Sequence, residues 1–294
     1  MKKIPGQYAV VGNPIAQSNA DFIYHHFATT LAISFNFRKI LAPIDGFQKT
    51  IHTFFNTGGK GLNVTIPFKQ EAYTLADEVT DAASIAGAAN LLTLENGIIC
   101  ADNTDGNAFI ADLAQHNVTA TAKKILLLGS GGVAKGILAA LFLLKNPPYH
   151  ITIVDLNLND AEKLKQHVDA YLQQSLSELN VTSKKECLDI VALDYSSFPD
   201  KHFDLIINAT SASLQDVLPP IPPELKLENT SCYDVVYNKP MTIFNEWALK
   251  NGAEIALDGK GMLVETLAKA FKTWLGYSPD VTSAIKKLQE KYSS

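Results

Sequence analysis

"LLLGSGGVAKG", residues 126–136, is the stretch that decides the fold. An apolar run leads into glycines, and the residues that follow, 133–145, have a helical pattern. This spacing fits G-x-G-x-x-G/A, a turn that lets the backbone approach a phosphate and directs helix N-terminal N–H groups towards it. We therefore predict a Rossmann-type dinucleotide-binding unit, and the alternative is a glycine-rich turn that binds no ligand. The predicted binding residues at this turn are Gly129, Gly131, Gly132, Val133 and Ala134.

The residue that ends the next strand bears on which dinucleotide binds. "YHITIVD" (149–155) is an apolar strand pattern that ends at Asp155. An acidic residue there typically binds the ribose 2′-OH of NAD and disfavours the 2′-phosphate of NADP. Asn157 follows closely, and the only arginine in the chain is the distant Arg38. These residues favour NAD and leave NADP open, with Asp155 and Asn157 as further cofactor-binding candidates.

Strand-like and helix-like segments alternate along the whole chain, which predicts an α/β protein with mostly parallel sheets. The pattern begins again near residue 123. Strand segments are predicted at 8–12, 35–42, 61–66, 123–132 (an apolar run that leads into glycines), 149–155, 203–211, 231–237 and 253–262, with a hairpin at 90–101. Helices are predicted around 20–32, at 44–56, from the end of 102–106 to about residue 116, at 133–145, about 159–179, and near 261–274 and 280–291.

Composition excludes several classes of protein. Hydrophobic residues make up 47% of the 294 residues and charged residues 19%, which is typical of a soluble globular protein. The net charge of −5 argues against a nucleic-acid surface. The three cysteines are far apart and the seven histidines have no zinc-site spacing, so we expect no metal. With no membrane-length apolar segment or signal peptide, we expect a cytoplasmic protein that does not bind a membrane.

The N-terminal half repeatedly places polar residues at the ends of apolar runs. "GLNVTIPFK" (61–69) has amide and hydroxyl groups on alternate positions of a strand and a lysine just after it. Strands of a parallel sheet end at one edge, where ligands bind. The alternatives are helix caps for Ser18, Asn103 and Asp105 and a solvated helix-start position for Lys69. The residues of this polar set are Ser18, Asn63, Thr65, Lys69, Asn90, Asn103, Thr104 and Asp105.

Eight motifs, taken in order, resemble the shikimate dehydrogenase family over essentially the whole chain. They are "YAVVGNPIAQS" (8–18), "GLNVTIPFK" (61–69), "AGAAN" (86–90), "DNTDG" (102–106), "GSGGVAKG" (129–136), "DLIINATS" (204–211), "YDVVYN" (233–238) and "DGKGMLVE" (258–265).

The resemblance implies hydride transfer between a nicotinamide cofactor and C3 of 3-dehydroshikimate or shikimate, in the biosynthesis of aromatic amino acids. It also implies an α/β substrate domain with a mostly parallel sheet, formed by residues 1–104 and 256–294. The Rossmann-type dinucleotide-binding domain, residues 105–255, would be inserted between these two segments. We expect a monomer or homodimer whose partner is a small-molecule substrate.

The resemblance also assigns roles by position. Lys69 and Asp105 match the catalytic pair. A lysine beside a carboxylate suits ketone reduction, which needs a proton donor at the developing alkoxide. Matches to substrate-binding positions are Ser18, Asn63, Thr65, Asn90, Tyr237 and Thr266. Matches to the loops around the nicotinamide are Thr210, Ser211, Val235 and Gly259.

Four departures from the family pattern concern the two ligands. The usual His-Ser-Lys-Ser-Pro reads "QSNAD" (17–21), so a serine expected to bind the substrate carboxylate is Ala20, and Asp21 adds a negative charge. The usual glutamine is Thr266, the usual glycine after Asn-Ala-Thr-Ser-x is Ser213, and the usual Asn-Arg-Thr is "DLN" (155–157). Two rival interpretations stay open. One is an NAD-preferring paralogue that acts on quinate or another cyclic hydroxy acid, and the other is a ligand-binding regulator that has lost turnover.

Overall fold

Two twisted sheets, each flanked by helices, form the protein in a computed structural model. The structure describes residues 2–121, 123–179, 188–198, 202–237 and 239–293. The strands are β1 (Lys2–Lys3), β2 (Gln7–Gly12), β3 (Ile33–Ser34), β4 (Phe37–Leu41), β5 (Gly59–Val64), β6 (Glu78–Val79), β7 (Leu91–Glu95), β8 (Ile98–Asp102), β9 (Lys124–Leu128), β10 (His150–Asp155), β11 (Asp189–Asp194), β12 (Leu205–Asn208), β13 (Ser231–Asp234) and β14 (Ile255–Asp258). The helices are α1 (Ala20–Thr30), α2 (Phe47–Asn56), α3 (Lys69–Leu75), α4 (Asp81–Ala86), α5 (Asp105–Gln115), α6 (Gly132–Leu143), α7 (Leu158–Leu179), α8 (Ile243–Lys250), α9 (Lys260–Leu275) and α10 (Val281–Ser293).

The first sheet has the strand order β4-β2-β5-β7-β8-β6. Strands β2, β4 and β5 pair in parallel, whereas β7 is antiparallel to both β5 and β8. The hairpin predicted between β7 and β8 is present. Its two turn residues, Asn96 and Gly97, both have positive φ, 52° and 86°, as a two-residue hairpin turn requires.

The second sheet has the order β11-β10-β9-β12-β13-β14, and every pairing in it is parallel. Its central strand β9 is almost continuously apolar and buried, as expected for a sheet covered on both faces. The order reverses beside β9, because the chain moves outward to β10 and β11 and then returns to β12. Ligands of open α/β sheets bind at such a switch point.

The fold class predicted from the sequence is confirmed: the chain is mixed α/β with mostly parallel pairing. Strand β14 (Ile255–Asp258) pairs with β13, so the second sheet continues to Asp258. The predicted boundary between residues 255 and 256 therefore falls inside a strand of that sheet. Among the described residues, no helix combines the length and the apolar character needed to cross a membrane.

Helices α5 and α6 pack closely where the two sheets meet. A Cβ atom at Gly106 of α5 would lie 1.9 Å from the carbonyl oxygen of Gly136 in α6. A Cβ atom at Gly136 would lie 2.5 Å from Oδ1 of Asn103. These two glycines therefore allow the contact that places the start of α5, at the end of the first sheet, against the second.

Candidate active site

Lys69 and Asp105 form a buried ion pair between the sheets. Each is the first residue of its helix, α3 and α5, and only 7% and 5% of their surfaces are exposed. Lys69 Nζ donates a hydrogen bond to Asp105 Oδ2, and Asn90 Nδ2 donates to Asp105 Oδ1 at 2.6 Å. Both carboxylate oxygens are thus occupied, which fixes the carboxylate and, through it, the ammonium group.

The orientation of Asn90 is itself fixed. Its Oδ1 accepts hydrogen bonds from the backbone N–H of Thr104 at 2.8 Å and from Oγ1 of Thr104 at 3.2 Å. Asn103 Oδ1 accepts from the N–H of Asp105 at 3.2 Å, and Asn103 Nδ2 donates to the carbonyl of Ala88. Asn103 and Thr104 therefore act as supports for Asp105, and a preorganised pair of this kind is what a catalytic site needs.

Asn63 presents an amide N–H to the same space. Tyr24 Oη donates to Asn63 Oδ1 at 2.6 Å, which orients the amide. Asn63 Nδ2 is buried and finds no hydrogen-bond acceptor among the described residues. A buried donor without a partner has a cost in stability, so this N–H indicates a ligand acceptor at this point.

These groups line a cavity of about 170 Å³, which we call the inner cavity. It contains every residue that the sequence assigned to catalysis or substrate binding: Ser18, Asn63, Thr65, Lys69, Asn90, Asp105, Tyr237 and Thr266. Ala20 also lines it, so the replaced serine would have faced the ligand. Burial raises the pKa of Tyr237 to about 12, so its hydroxyl remains protonated and can donate a hydrogen bond at neutral pH.

A second cavity of about 620 Å³, the outer cavity, lies against the glycine-rich turn. Its lining includes Gly129, Gly131, Gly132, Val133, Asp155, Thr210, Ser211 and Val235, all predicted to bind the cofactor. The two cavities share Gln17, Thr65, Val133, Val235 and Tyr237. A Cβ atom at Gly132 would lie 3.1 Å from Cδ of Lys69, so the glycine turn borders the ion pair directly.

The outer cavity fits a nicotinamide dinucleotide. A Cβ atom added at Gly131 would meet nothing within 4 Å, so ligand space adjoins the backbone there. Gly131 caps α6 without a side-chain hydrogen bond, which leaves the first N–H groups of this helix available to a pyrophosphate. Gly129 has φ of +96°, a conformation that favours glycine.

Asp155 is held in place at the rim of the outer cavity. Its Oδ2 accepts from the N–H of Ser130 at 2.9 Å and from Ser130 Oγ at 2.7 Å, and its Oδ1 accepts from the N–H of Asn157 at 3.2 Å. Leu156, beside it, is 79% exposed and lines the same cavity. The carboxylate is therefore fixed at the end of β10, the strand position whose acidic residue typically binds the ribose 2′-OH in folds of this kind.

Three predicted cofactor residues do not line the outer cavity. Ala134 is the third small residue of the G-x-G-x-x-G/A motif. It is fully buried in the core, where a small side chain allows close packing of helix and strand. Asn157 Nδ2 donates to Asp160 Oδ2 at 3.0 Å, at the start of α7. Gly259 lines the inner cavity, and a Cβ atom there would lie 2.2 Å from the carbonyl oxygen of Val235.

Two further residues that depart from the family pattern, Asp21 and Ser213, have structural explanations. Asp21, which could have repelled a substrate carboxylate, does not line the inner cavity and pairs with Lys39 at 3.1 Å. Ser213 is fully buried and donates to Asp234 Oδ2 at 2.6 Å. Burial raises the pKa of Asp234, and the Ser213 hydrogen bond opposes that rise by stabilising the ionised form.

Sequence reasoning missed several residues of the site. Tyr24, which orients Asn63, looked like an ordinary core residue of α1, and it is indeed fully buried. Gln17 lines both cavities, and Met262 and Leu263 line the inner one. The motif "DGKGMLVE" contains the last two, but only the packing of α9 shows that they reach the ligand space.

A Rossmann-type sheet whose outer cavity adjoins a buried lysine–carboxylate pair is the arrangement of an NAD(P)-dependent oxidoreductase. Comparison with known proteins supports this class. The model of the shikimate dehydrogenase substrate binding domain matches residues 10–92. A curated relative from Colwellia psychrerythraea, named shikimate dehydrogenase (NADP(+)), is 41% identical over 98% of each chain.

Solved structures are similar to this chain over nearly its whole length. An Ael1 enzyme from Pseudomonas putida is 33% identical, with 98% of each chain covered and a TM-score of 0.79. A shikimate dehydrogenase in complex with NADP⁺ is 25% identical, with 100% of this chain and 96% of that chain covered and a TM-score of 0.83. The chain belongs to the shikimate dehydrogenase family.

Proposed function

We propose that this protein catalyses the reversible NAD(P)-dependent reduction of 3-dehydroshikimate to shikimate, in the biosynthesis of aromatic amino acids. The observation that carries the proposal is the Lys69–Asp105 pair, buried on the wall of the inner cavity and in contact with the glycine turn of the outer one. Family membership at 41% identity supports this substrate. We also propose that the protein is cytoplasmic, because the reaction draws on the soluble nicotinamide pool. For the oligomeric state we propose a monomer or homodimer.

In the proposed mechanism, Lys69 and Asp105 handle the proton. A nicotinamide cofactor held in the outer cavity would supply or accept the hydride at C3 of the substrate. During reduction the Lys69 ammonium stabilises the negative charge that develops on the C3 oxygen and gives it a proton. Asp105 holds the ammonium in place through Oδ2, while Asn90 holds Asp105 through Oδ1.

The polar wall of the inner cavity would orient the substrate. Asn63 Nδ2, which has no acceptor among the described residues, would donate to a substrate hydroxyl. Ser18, Thr65, Tyr237 and Thr266 would supply further hydrogen bonds from their hydroxyl groups. Together these contacts would hold C3 beside Lys69, and such positioning is a large part of catalysis.

For the cofactor we propose a preference for NAD. Asp155 is held at the rim of the outer cavity by Ser130 and Asn157, and a fixed carboxylate repels a 2′-phosphate. The only arginine, Arg38 of β4, lies over the ring of Phe54 and does not line the outer cavity. The second candidate, NADP, is favoured by the name of the curated relative.

A second candidate function is oxidation of quinate or another cyclic hydroxy acid. It is favoured by Ala20 and Thr266, two departures from the family pattern that both face the inner cavity. A regulator without turnover is disfavoured, because Lys69 and Asp105 are intact and hydrogen-bonded.

For the architecture we propose a substrate domain of residues 1–104 and 259–294 around a dinucleotide-binding domain of residues 105–258, which keeps β14 with its sheet.

The test is a spectrophotometric rate at 340 nm with shikimate and with quinate, each offered with NAD and with NADP. We expect the highest kcat/KM for shikimate with NAD. A preference for quinate would establish the second candidate function. A chain that oxidises neither acid with either cofactor would refute the proposed activity.

A further inference from the structure

Asp112 is a buried carboxylate that the proposed mechanism does not use. It lies on α5 seven residues after Asp105, which is close to two whole helical turns, so both carboxylates project from the same face of the helix. Only 1% of the surface of Asp112 is exposed. One face of α5 therefore carries the carboxylate of the ion pair at its start and a second carboxylate about 10 Å further along.

One oxygen of Asp112 is bound by the second sheet. Tyr233 Oη, from β13, donates to Asp112 Oδ2 at 2.5 Å. Burial raises the pKa of Tyr233, so its hydroxyl stays protonated and acts as the donor. The ring of Tyr233 also packs edge-on against Phe109 of α5, with 4.9 Å between the ring centroids. Asp112 thus ties α5 to the strand that leads to Val235 and Tyr237, which line both cavities.

The other oxygen of Asp112 faces the first turn of α9. A Cβ atom at Gly261 would lie 1.8 Å from Asp112 Oδ1, so glycine is needed for this approach. Oδ1 is buried and has no hydrogen-bond partner among the described residues. Asp258 accepts from the N–H of Lys260 at 3.0 Å, but Gly259, the N-cap of α9, has no side chain to offer to the next N–H groups. The partial positive charge of a helix N-terminus stabilises a nearby carboxylate, and here the carboxylate comes from another helix.

The first two turns of α9 form one wall of the inner cavity. Met262, Leu263, Thr266 and Leu267 line it. None of the described lining of the outer cavity comes from α9. A shift of α9 relative to α5 would therefore change the space for the substrate and leave the space for the cofactor largely as it is.

We propose that Asp112 is a positioning residue, which holds the first turn of α9 against α5 and so sets the distance between the Lys69–Asp105 pair and the opposite wall of the inner cavity. Asp112 does not line that cavity, so it acts on the substrate only through α9. The proposal rests on the proposed function, since its test measures the oxidation of shikimate.

The test compares Asp112→Asn, Tyr233→Phe and the double variant with the parent protein. Asp112→Asn keeps the shape of the side chain and an oxygen that can accept from Tyr233, but it turns an NH₂ group towards the N–H groups of α9. Gln115→Ala is the matched control, because Gln115 also joins α5 to α9, through a 2.6 Å hydrogen bond to Glu265 at the exposed surface. For each protein we would measure KM and kcat with shikimate, the dissociation constant of the cofactor and the urea midpoint of unfolding.

We expect Asp112→Asn to raise KM for shikimate about five- to tenfold, with kcat within about threefold and the cofactor dissociation constant within about twofold of the parent values. Tyr233→Phe should act in the same direction. The double variant should have a KM close to that of the more affected single variant, because both changes break one arrangement. Gln115→Ala should resemble the parent protein.

Three results would overturn the inference. One is a lower urea midpoint with an unchanged KM in Asp112→Asn and Tyr233→Phe, which would show a purely structural role. The others are a rise in KM for Gln115→Ala as large as that for Asp112→Asn, and single effects on KM that multiply in the double variant. A parent protein inactive towards shikimate would instead refute the proposed function, so the two failures are distinguishable.

Discussion

Replacing Asp155 by asparagine should change the cofactor preference without disturbing the fold. The substitution keeps the shape of the side chain and an oxygen that can accept from Ser130, whose N–H and Oγ now bind Oδ2 at 2.9 and 2.7 Å. It removes the negative charge at the rim of the outer cavity. Asparagine can also present an N–H to a 2′-phosphate, which a carboxylate cannot.

The expected size follows from two contributions. A hydrogen bond from the ribose 2′-OH to a charged acceptor is worth about 1 kcal/mol more than one to a neutral acceptor, so KM for NAD should rise about five- to tenfold. Removing the repulsion of a 2′-phosphate at a partly solvated rim should improve NADP by about tenfold. The ratio of kcat/KM for NAD over NADP should therefore fall by about 50- to 100-fold.

The assay is the rate at 340 nm with saturating shikimate and both cofactors titrated at one ionic strength. Asp194→Asn is the matched control, because Asp194 ends the neighbouring strand β11 directly opposite Asp155 and does not line the outer cavity. The control should keep the parent ratio. If Asp155→Asn also keeps it, Asp155 does not face the ribose and our account of the cofactor site is wrong.

Two further substitutions test the departures from the family pattern. Ala20→Ser should lower KM for shikimate by about tenfold or more, because it adds a hydrogen bond to the substrate carboxylate, and an unchanged KM would mean that the carboxylate lies elsewhere. Ser213→Gly should lower the free energy of unfolding by about 1–3 kcal/mol, because Asp234 loses a buried donor. Burial already raises the pKa of Asp234, and losing the Ser213 bond should raise it further. The ionised form is then disfavoured in the folded state, so the deficit should be largest above the raised pKa and should shrink as the pH falls towards the ordinary carboxyl range. Urea denaturation at several pH values measures it, and a deficit independent of pH would contradict this explanation.

Patterns along the chain predicted the features that depend on neighbouring residues. The apolar run before Gly129 predicted β9 and its turn, and Asn96-Gly97 predicted the hairpin, because each pattern reports a local backbone preference. The resemblance added the residues of the inner cavity, and the structure brings all of the predicted catalytic and substrate-binding residues to it. The catalytic and substrate-binding roles of these residues are proposals, which substitutions such as Ala20→Ser and Lys69→Met test.

Features that join distant segments could not be predicted in this way. The sequence did not indicate that Asp21 turns to Lys39, that Tyr24 orients Asn63, or that α10 holds Asn19. Each of these contacts depends on which faces of two distant elements pack together. The spacing of apolar and polar residues along one segment does not show that. The predicted domain boundary fell inside β14 for the same reason, since Ile255–Asp258 joins the second sheet only through its pairing with β13.

Turnover by Lys69→Met, measured together with the dissociation constant of the cofactor, tests the central claim most directly. The change removes the ammonium that Asp105 and Asn90 hold in place and keeps an unbranched side chain beside Gly132. We expect kcat to fall by about 10²–10⁴-fold, the usual contribution of a general acid, with nearly unchanged cofactor binding. The exposed Lys60, on β5, provides the control variant Lys60→Met, which should keep full activity. A Lys69→Met protein that keeps kcat within a few-fold of the parent would show that the reaction does not depend on this lysine.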